Sequence, residues 1–353
     1  MSINRRHPDE RDVRSRPNPR GSRPRSKRRP GHADAERAMV VGVDRGRYTV
    51  LVAPDTPDER VVVAVKARGL GLDRLVCGDL VDVVGDTSGA RGTLGRIVRV
   101  ADRITSLRRT ADDTDPVERV IVANADQLVV VTALAEPEPR IRMIDRCVVA
   151  AYDAGMDVLL CLTKADLGDP TELREMYAPL GVEVVVTSLI PSDADAPADE
   201  RLIDGVDRVR HHLAGRMSVL IGHSGVGKST LVNALVPSAH RAIGGVNLVT
   251  RRGRHTSSSA VALRLPQRDG WVIDTPGVRS FGLAHVQPES LLGSFPDLAG
   301  VVTERCPRGC THLADAPDCA LDEWVAEAPE AERDARAARL DSMRRLLTAR
   351  SGD

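Results

Sequence analysis

The chain is poor in aromatic residues and has no long apolar run. Its 353 residues include two Trp, three Tyr and two Phe, so Val, Leu and Ala must fill the cores. A transmembrane helix needs about 18 or more consecutive apolar residues, and the sequence contains no such run. The N-terminal stretch MSINRRHPDERDVRSR lacks the apolar segment of a secretory signal. We therefore expect a cytoplasmic protein without a membrane partner.

The net charge of zero conceals an uneven distribution. Eleven Arg and Lys against three acidic residues give residues 1–31 a net charge of +8, so the remaining chain carries −8. A Pro- and Arg-rich segment with few apolar residues buries too little surface to offset its ordering entropy. We expect residues 1–36 to form a disordered basic arm with affinity for phosphate backbones. A solubilising tail that binds nothing in particular is the alternative.

Three segments with different patterns follow the arm. Residues 37–112 contain four or five short strands separated by Gly and Asp, which suits an OB-type β-barrel, although an SH3-like barrel has a similar pattern. Residues 113–283 alternate apolar strands with amphipathic helices, the pattern of a parallel sheet covered on both faces. Residues 284–353 are polar and helical. We expect a multidomain protein in which these segments are a barrel, an α/β domain and a helical module.

A phosphate-binding loop follows one of the predicted strands. The strand 217–221 leads into Gly222, His223, Ser224, Gly225, Val226, Gly227, Lys228, Ser229 and Thr230, and a helix begins within this stretch. In this context the glycines let backbone N–H groups surround phosphate oxygens at a helix N-terminus. Lys228 is expected to reach the β- and γ-phosphates, and the Ser229 hydroxyl to ligate Mg²⁺. A glycine-rich turn without a ligand is the alternative.

A second motif expected near the Mg²⁺ ion stands at the end of a later strand. Asp274-Thr275-Pro276-Gly277 follows the apolar residues 271–273. Asp274 is expected to hold Mg²⁺ through water, and the Gly277 amide to contact the γ-phosphate. The motif is weak alone, but its position after a phosphate loop makes it specific.

A base-reading motif favours guanine. In Thr163-Lys164-Ala165-Asp166 the carboxylate can accept from guanine N1–H and the N2 amino group, whereas adenine offers neither donor. The Lys164 stem is expected to pack over the base, and Ser188 marks the loop near guanine O6. Thr163 stands where Asn is usual and cannot make both of its contacts. A plain helix start is the alternative for this motif.

The order of the motifs indicates a circular permutation. The base-reading motif precedes the phosphate loop, whereas ordinary GTP-binding domains have the phosphate loop first. A complete set of GTPase motifs in rotated order predicts a circularly permuted P-loop GTPase fold.

The catalytic group is less clearly marked. Val278 follows Gly277, where many GTPases place a water-orienting Gln, and it can neither hydrogen-bond nor transfer a proton. Residues 251–259 lie between the phosphate loop and Asp274, where the first switch is expected. Thr256 could ligate Mg²⁺ and His255 could position water. We expect hydrolysis to be slow without a partner. A basic loop that contacts rRNA only is the alternative.

Three cysteines and a histidine near the C-terminus have metal-ligand spacing. Cys306, Cys310, His312 and Cys319 supply a full tetrahedral set for one structural Zn²⁺. A disulfide would need an oxidising compartment, which nothing in the sequence suggests.

The combined motifs resemble the bacterial ribosome small-subunit-dependent GTPase A family. The resemblance spans about residues 37–350 and includes 123–127, 136–139 and 253–256. It implies an OB-fold, a permuted GTPase and a zinc module that act in late 30S maturation. It further implies that the partners are the 30S subunit and its 16S rRNA, and that binding to the subunit stimulates hydrolysis of GTP to GDP, after which the factor dissociates. We expect the protein to be a monomer.

The sequence departs from the family pattern at two places. Serines follow Thr256 where a Thr run is usual, and the metal cluster has spacings of three, one and six residues instead of four, one and five. Two other functions stay open at this point. One is a nucleotide-gated rRNA-binding module with incidental hydrolysis, and the other is a P-loop kinase or ATPase. Because Asp274 leads into the C-terminal module, loss of γ-phosphate is also predicted to move that module.

Overall fold

The computed structural model describes residues 32–71, 74–110, 117–189, 203–237, 260–275 and 282–351. The chain divides into a short unit, Met1–Asp34, and a second unit, Ala35–Asp353. The elements below all belong to the second unit. Within the described ranges, every helix is too short or too polar to cross a membrane.

The first part of this unit is a closed five-stranded barrel. Its strands are β1 (Glu36–Asp44), β2 (Arg47–Val52), β3 (Arg60–Lys66), β4 (Leu80–Gly85) and β5 (Gly95–Val100). They pair in the order β1-β2-β3-β5-β4, and a β4–β1 pairing closes the barrel. The β3–β5 pair is parallel, and the other pairs are antiparallel. This order is that of an OB-fold, so the OB prediction is confirmed and the SH3-like alternative is wrong.

The second part is a mainly parallel sheet. Its strands are β8 (Gln127–Ala133), β9 (Asp157–Thr163), β10 (Glu183–Val186), β13 (Met217–Ile221), β14 (Val261–Arg264) and β15 (Trp271–Asp274). The spatial order is β10-β9-β8-β13-β15-β14, in which only β14 is antiparallel to its neighbour β15. Counted from the phosphate-loop strand β13, this order is 6-5-4-1-3-2. In this count the three strands that come first in the chain, β8, β9 and β10, are the fourth, fifth and sixth, which confirms the permutation.

Small pairs of strands flank the main sheet. The hairpin β6 (Ser106–Arg109) and β7 (Arg119–Ala123) connects the barrel to β8. A second pair consists of β11 (Ser188–Leu189) and β12 (Ile203–Asp204).

Helices cover both faces of the parallel sheet because alternate strand residues point to opposite faces. Leu128, Val130 and Leu160 face α1 (Ile141–Asp153) and α2 (Thr171–Tyr177). Val129, Val131 and Leu159 face α3 (Val206–Leu213) and α4 (Lys228–Leu235). Residues 128–131 of β8 and 158–162 of β9 are apolar at every position because both sets are buried.

The C-terminal part is helical and packs on α1. It consists of α5 (Pro288–Gly293), α6 (Pro296–Arg305), α7 (Ala320–Ala326) and α8 (Glu330–Ser351). Arg345 of α8 pairs with the buried Asp145 of α1 at 3.2 Å, and Tyr177 donates to the same carboxylate at 2.9 Å. Burial raises the pKa of Asp145 although Arg345 opposes this shift. The domain limits predicted at 36/37, 112/113 and 283/284 stay predictions. Residues 111–116, which contain the second limit, lie outside the described ranges.

Candidate nucleotide site and metal centre

The phosphate loop leaves the middle of the sheet. β13 lies between β8 and β15, and the loop that follows it ends where α4 begins at Lys228. Gly225 and Gly227 have φ values of 88° and 86°, and a Cβ on Gly222 would lie 2.6 Å from the Val131 carbonyl oxygen. Glycine is therefore required at these positions by conformation or by space.

The remaining loop residues differ in their exposure. Val226 is buried, whereas Ser224, Gly225 and Ser229 are exposed and Thr230 is intermediate. Nδ1 of His223 donates to the Ser224 carbonyl at 2.7 Å, so this side chain folds back on the loop. The exposed Ser229 hydroxyl stands in the first turn of α4, where a P-loop hydroxyl ligates Mg²⁺.

Lys228 joins the phosphate loop to the end of β15. Its side chain is almost fully buried, contacts the Asp274 carboxylate and donates to the Thr275 carbonyl at 2.6 Å. Thr275 in turn donates to the Leu220 carbonyl of β13 at 2.7 Å. The structure thus brings together Lys228, Ser229 and Asp274, the residues predicted to act on phosphates and metal. Gly277, His255 and Thr256 lie outside the described residues.

The base-reading motif lies beside the phosphate loop. The Thr163 hydroxyl is buried and donates to the Val226 carbonyl at 2.6 Å, with the Thr132 carbonyl 3.3 Å away. A hydroxyl has one proton to donate, and the shorter distance assigns it to Val226. Thr163 therefore fixes the position of the phosphate loop relative to the base-reading motif.

The other motif residues are arranged around an open position. The Ala165 amide donates to the Thr187 carbonyl at 3.1 Å, which places the motif next to Ser188. Asp166 is exposed, and its carboxylate has no partner among the described residues, so both oxygens can accept. Lys164, at a φ of 58°, contacts the Glu136 carbonyl through its ammonium group. This contact was not predictable from the sequence, in which residues 136–139 contribute only to the family resemblance.

The four predicted metal ligands converge. One ligand atom from each of Cys306, Cys310, His312 and Cys319 lies within 4.8 Å of the others. Nδ1 of His312 is 3.7 Å from the Cys306 sulfur and 3.9 Å from the Cys319 sulfur. A tetrahedron with Zn–S of about 2.3 Å and Zn–N of about 2.0 Å has edges of about 3.5–3.8 Å, so the donor set fits zinc.

Left-handed backbone conformations accommodate the unusual spacing of the ligands. Gly309 has a φ of 81° in the short first turn, while His312 and Asp318 have φ values of 59° and 55°. Arg344 of α8 donates to the His312 carbonyl at 3.0 Å and forms two hydrogen bonds of 2.8 and 2.7 Å with Asp322. This bidentate pair fixes the guanidinium beside the three cysteine sulfurs, whose negative charge it would oppose when they hold a metal as thiolates.

The fold and these two sites define a circularly permuted P-loop GTPase with an OB barrel and a helical module containing a Cys3His cluster. A model of the RsgA GTPase family matches residues 100–284. The small ribosomal subunit biogenesis GTPase RsgA of Hahella chejuensis is 31% identical over 299 residues, which cover 82% of this chain and 79% of the relative. The chain therefore belongs to the RsgA GTPase family and is a GTP-hydrolysing enzyme.

Other comparisons agree with this assignment. The protein of the same name from Pseudomonas aeruginosa (strain LESB58) is 35% identical over 256 residues, 71% of this chain and 70% of the relative. The crystal structure of YjeQ from Thermotoga maritima matches with a TM-score of 0.56 at 25% identity, covering 88% of this chain and 98% of that one. YloQ, described as a circularly permuted GTPase, matches with a TM-score of 0.56 at 22% identity over 90% and 97% of the two chains, and supports the fold alone.

Replacing Thr163 tests the link between the two nucleotide motifs. Thr163→Val keeps the shape of the side chain but removes the donor to the Val226 carbonyl. Loss of one such bond costs about 1 kcal/mol, so we expect GDP to bind about 5-fold more weakly, measured with a fluorescent GDP analogue. Thr163→Ser keeps the hydroxyl and should bind like the wild type. Equal affinities for all three proteins would contradict the assignment.

Replacing Arg344 tests its contribution to metal binding. We expect Arg344→Leu to weaken zinc affinity by about 10- to 100-fold, because it removes the support of the His312 carbonyl and a compensating charge. Competition with a chromogenic zinc chelator gives the affinity. Arg333→Leu on the same helix is the control, since the hydrogen bond that Arg333 makes within the described part of the chain is to the Ala328 carbonyl. Zinc affinity that is equal in both variants would refute the role.

Proposed function

We propose that the protein binds the small (30S) ribosomal subunit, acts in its late maturation and dissociates after subunit-stimulated hydrolysis of GTP to GDP and phosphate. The observation that carries this proposal is the joining of a base-reading motif and a phosphate loop at one edge of a sheet that continues into an OB barrel. The relatives named as small ribosomal subunit biogenesis GTPases support the choice of partner.

In this proposal, guanine is selected by the unpaired carboxylate of Asp166. It accepts from N1–H and the N2 amino group, while Lys164 packs over the base and the Ser188 loop offers an N–H to O6. Because adenine would leave the carboxylate without these donors, ATP is a poor substrate. The Thr163 contact keeps the base in register with the phosphates.

The phosphates are held by the loop 222–230 and by Lys228. Backbone N–H groups and the N-terminus of α4 face the phosphate oxygens, and the Lys228 ammonium adds a positive charge. Ser229 and Thr256 would hold Mg²⁺, with Asp274 acting through water. Mg²⁺ bound with GTP neutralises the charge that develops on the transferred phosphoryl group. The Gly277 amide would contact the γ-phosphate.

Hydrolysis needs a group that orients the attacking water, and Val278 has none to offer. We assign this role to His255, which precedes the proposed metal ligand Thr256. The subunit would stimulate the reaction by completing the position of this group relative to the attacking water. Slow turnover of the free protein follows from this arrangement.

The proposed contact with 16S rRNA uses one end of the barrel. Pairing places Arg47 of β2 and Arg96 of β5 on either side of Val65 in β3. Arg45 and Arg68 lie in the connections next to these positions, and all four arginines are exposed. Among the described barrel residues the single aromatic, Tyr48, points into the core, so base stacking has no platform here. Contact through phosphates is the mode that this surface fits.

The helical module supports the same proposal in a structural role. One Zn²⁺ per chain, held by the three cysteines and His312, would fix the segment between α6 and α7. Burial raises the pKa of Cys306 to about 11, so binding of the metal must displace the thiol proton.

Phosphate release from GTP and from ATP, each with and without purified 30S subunits, tests the proposal. We expect turnover that is specific for GTP and raised at least about 10-fold by the subunit, since arranged catalytic groups contribute factors of this size or larger. His255→Ala should remove the stimulation but leave GDP affinity unchanged. Slow turnover at the same rate with and without the subunit would instead favour a nucleotide-gated rRNA-binding module with incidental hydrolysis.

The salt dependence of RNA binding tests the barrel surface. The double variant Arg47→Gln/Arg96→Gln should lower the slope of log affinity against log salt concentration by about 2, since each phosphate contact contributes about 0.9. Filter binding to 16S rRNA gives this slope. Arg174→Gln, which changes an exposed arginine on α2, is the control and should leave the slope unchanged. Equal slopes for both variants would place the RNA contact elsewhere.

A further inference from the structure

The β14–β15 hairpin contacts the barrel through its backbone. Val261 of β14 pairs with Gly42 of β1, so the barrel and the GTPase form one continuous eleven-stranded sheet. The thiol of Cys77, in the segment before β4, donates to the Ala260 carbonyl at 3.0 Å. Burial raises the pKa of Cys77 to about 12, so the thiol keeps its proton at neutral pH and remains a donor.

Charged side chains reinforce this junction. Asp55 and Glu59 belong to the loop between β2 and β3 in the barrel, and Arg264 and Arg268 belong to the hairpin. Arg264 bonds Asp55 at 2.6 Å and lies 3.4 Å from Glu59, which also pairs with Arg268. We call these four residues the barrel clamp.

The barrel clamp is more than a pair of surface charges. The side chains of Arg264 and Glu59 are 16% and 18% exposed, so water screens them less than it screens typical surface pairs. The Arg264 guanidinium lies 4.4 Å above the ring of Trp271. The Asp55 amide donates to the Glu59 carboxylate at 3.0 Å, which closes the acidic loop on itself. Both sides of the clamp are therefore held in position before they meet.

The hairpin connects the clamp to the nucleotide site. Arg264 is paired with Trp271 at one end of the hairpin, and Val261 is paired with Asp274 at the other. Asp274 contacts Lys228 of the phosphate loop. Asp274 thus belongs both to the hairpin and to the nucleotide site, so a displacement of Asp274 is a displacement of the hairpin that the barrel holds.

We propose that the barrel clamp couples the presence of the γ-phosphate to the conformation of the barrel. This inference rests on the nucleotide-site assignment in the proposed function. All ion pairs of the clamp form in the hairpin position described above. A nucleotide that favours another position of the hairpin therefore weakens the ion pairs to the β2–β3 loop. Coupling is reciprocal, so a ligand that binds the barrel in one nucleotide state also favours that nucleotide.

Hydrogen exchange on the full-length protein tests the coupling without a ribosome. Peptides that cover residues 53–59 are compared in protein loaded with GDP and with a non-hydrolysable GTP analogue. We expect exchange rates in this loop to differ at least about 5-fold between the two states, the lower end of typical coupling. The double variant Asp55→Asn/Glu59→Gln should exchange rapidly in both states, and the ratio of its affinities for the two nucleotides should change by up to about the same factor, because coupling is reciprocal.

Two further variants separate coupling from folding. Asp58→Asn neutralises one carboxylate in the same loop but outside the clamp, and should keep the nucleotide-dependent difference. Arg268→Gln removes the more exposed pair, and should give an intermediate difference without loss of the fold. Equal exchange with both nucleotides in the wild-type protein would overturn the proposal, as would an unchanged difference in the double variant.

Failure of the proposed function gives a different pattern. A wild-type protein that 30S subunits neither bind nor stimulate would refute the ribosomal role, yet its exchange difference would still support the clamp. Conversely, normal 30S stimulation with identical exchange in both nucleotide states would refute only the clamp. If both hold, the double variant should lose most of the nucleotide dependence of 30S affinity, measured by sedimentation.

Discussion

The hydrogen bond from Thr163 to the Val226 carbonyl joins two halves of a nucleotide site that are 63 residues apart in the chain. It is possible because β9 and β13, on either side of β8, end at the same edge of the sheet. Parallel strands place the loops at their carboxyl ends together, whatever the order in which the chain visits them. Circular permutation can therefore rearrange the sequence and keep the site, provided that the strands keep their places.

Permutation changes what is attached to the site. Cutting the GTPase ahead of β8 puts the barrel and the β6–β7 hairpin at one end of the fold, and the helical module follows β15 at the other. The hairpin β14–β15 then lies in the middle of the sheet that connects GTPase and barrel. The helical module instead packs through α8 on α1, where Arg345 meets Asp145. Of the two, the barrel has the more direct contact with elements that sense the nucleotide, while movement of the helical module stays a prediction.

Local patterns predicted much of this structure. Apolar runs located β8 and β9, the glycines located the phosphate loop, and ligand spacing located the metal cluster, because each depends on residues close in sequence. The contacts between distant segments were not predictable. Glu59 and Arg268 are 209 residues apart, and either could have formed a surface pair with other partners. The closing pair β4–β1 decides between two barrel types, yet no strand pattern encodes it. Thr163 was expected to be a weak substitute for Asn, whereas its single bond reaches the phosphate loop.

The distribution of arginine partners separates the roles of the two flanking modules. In α8, Arg339, Arg344 and Arg345 pair with Asp297, Asp322 and Asp145, so these charges stabilise the molecule itself. Among the described residues, Arg45, Arg47 and Arg96 of the barrel have no such partners, which suits them to contact with a polyanion. A phosphate backbone gains little from a guanidinium that must first leave a carboxylate, because the displaced carboxylate loses its partner. The barrel arginines are therefore better suited to the proposed contact with RNA, and the arginines of α8 connect the Cys3His cluster to the GTPase.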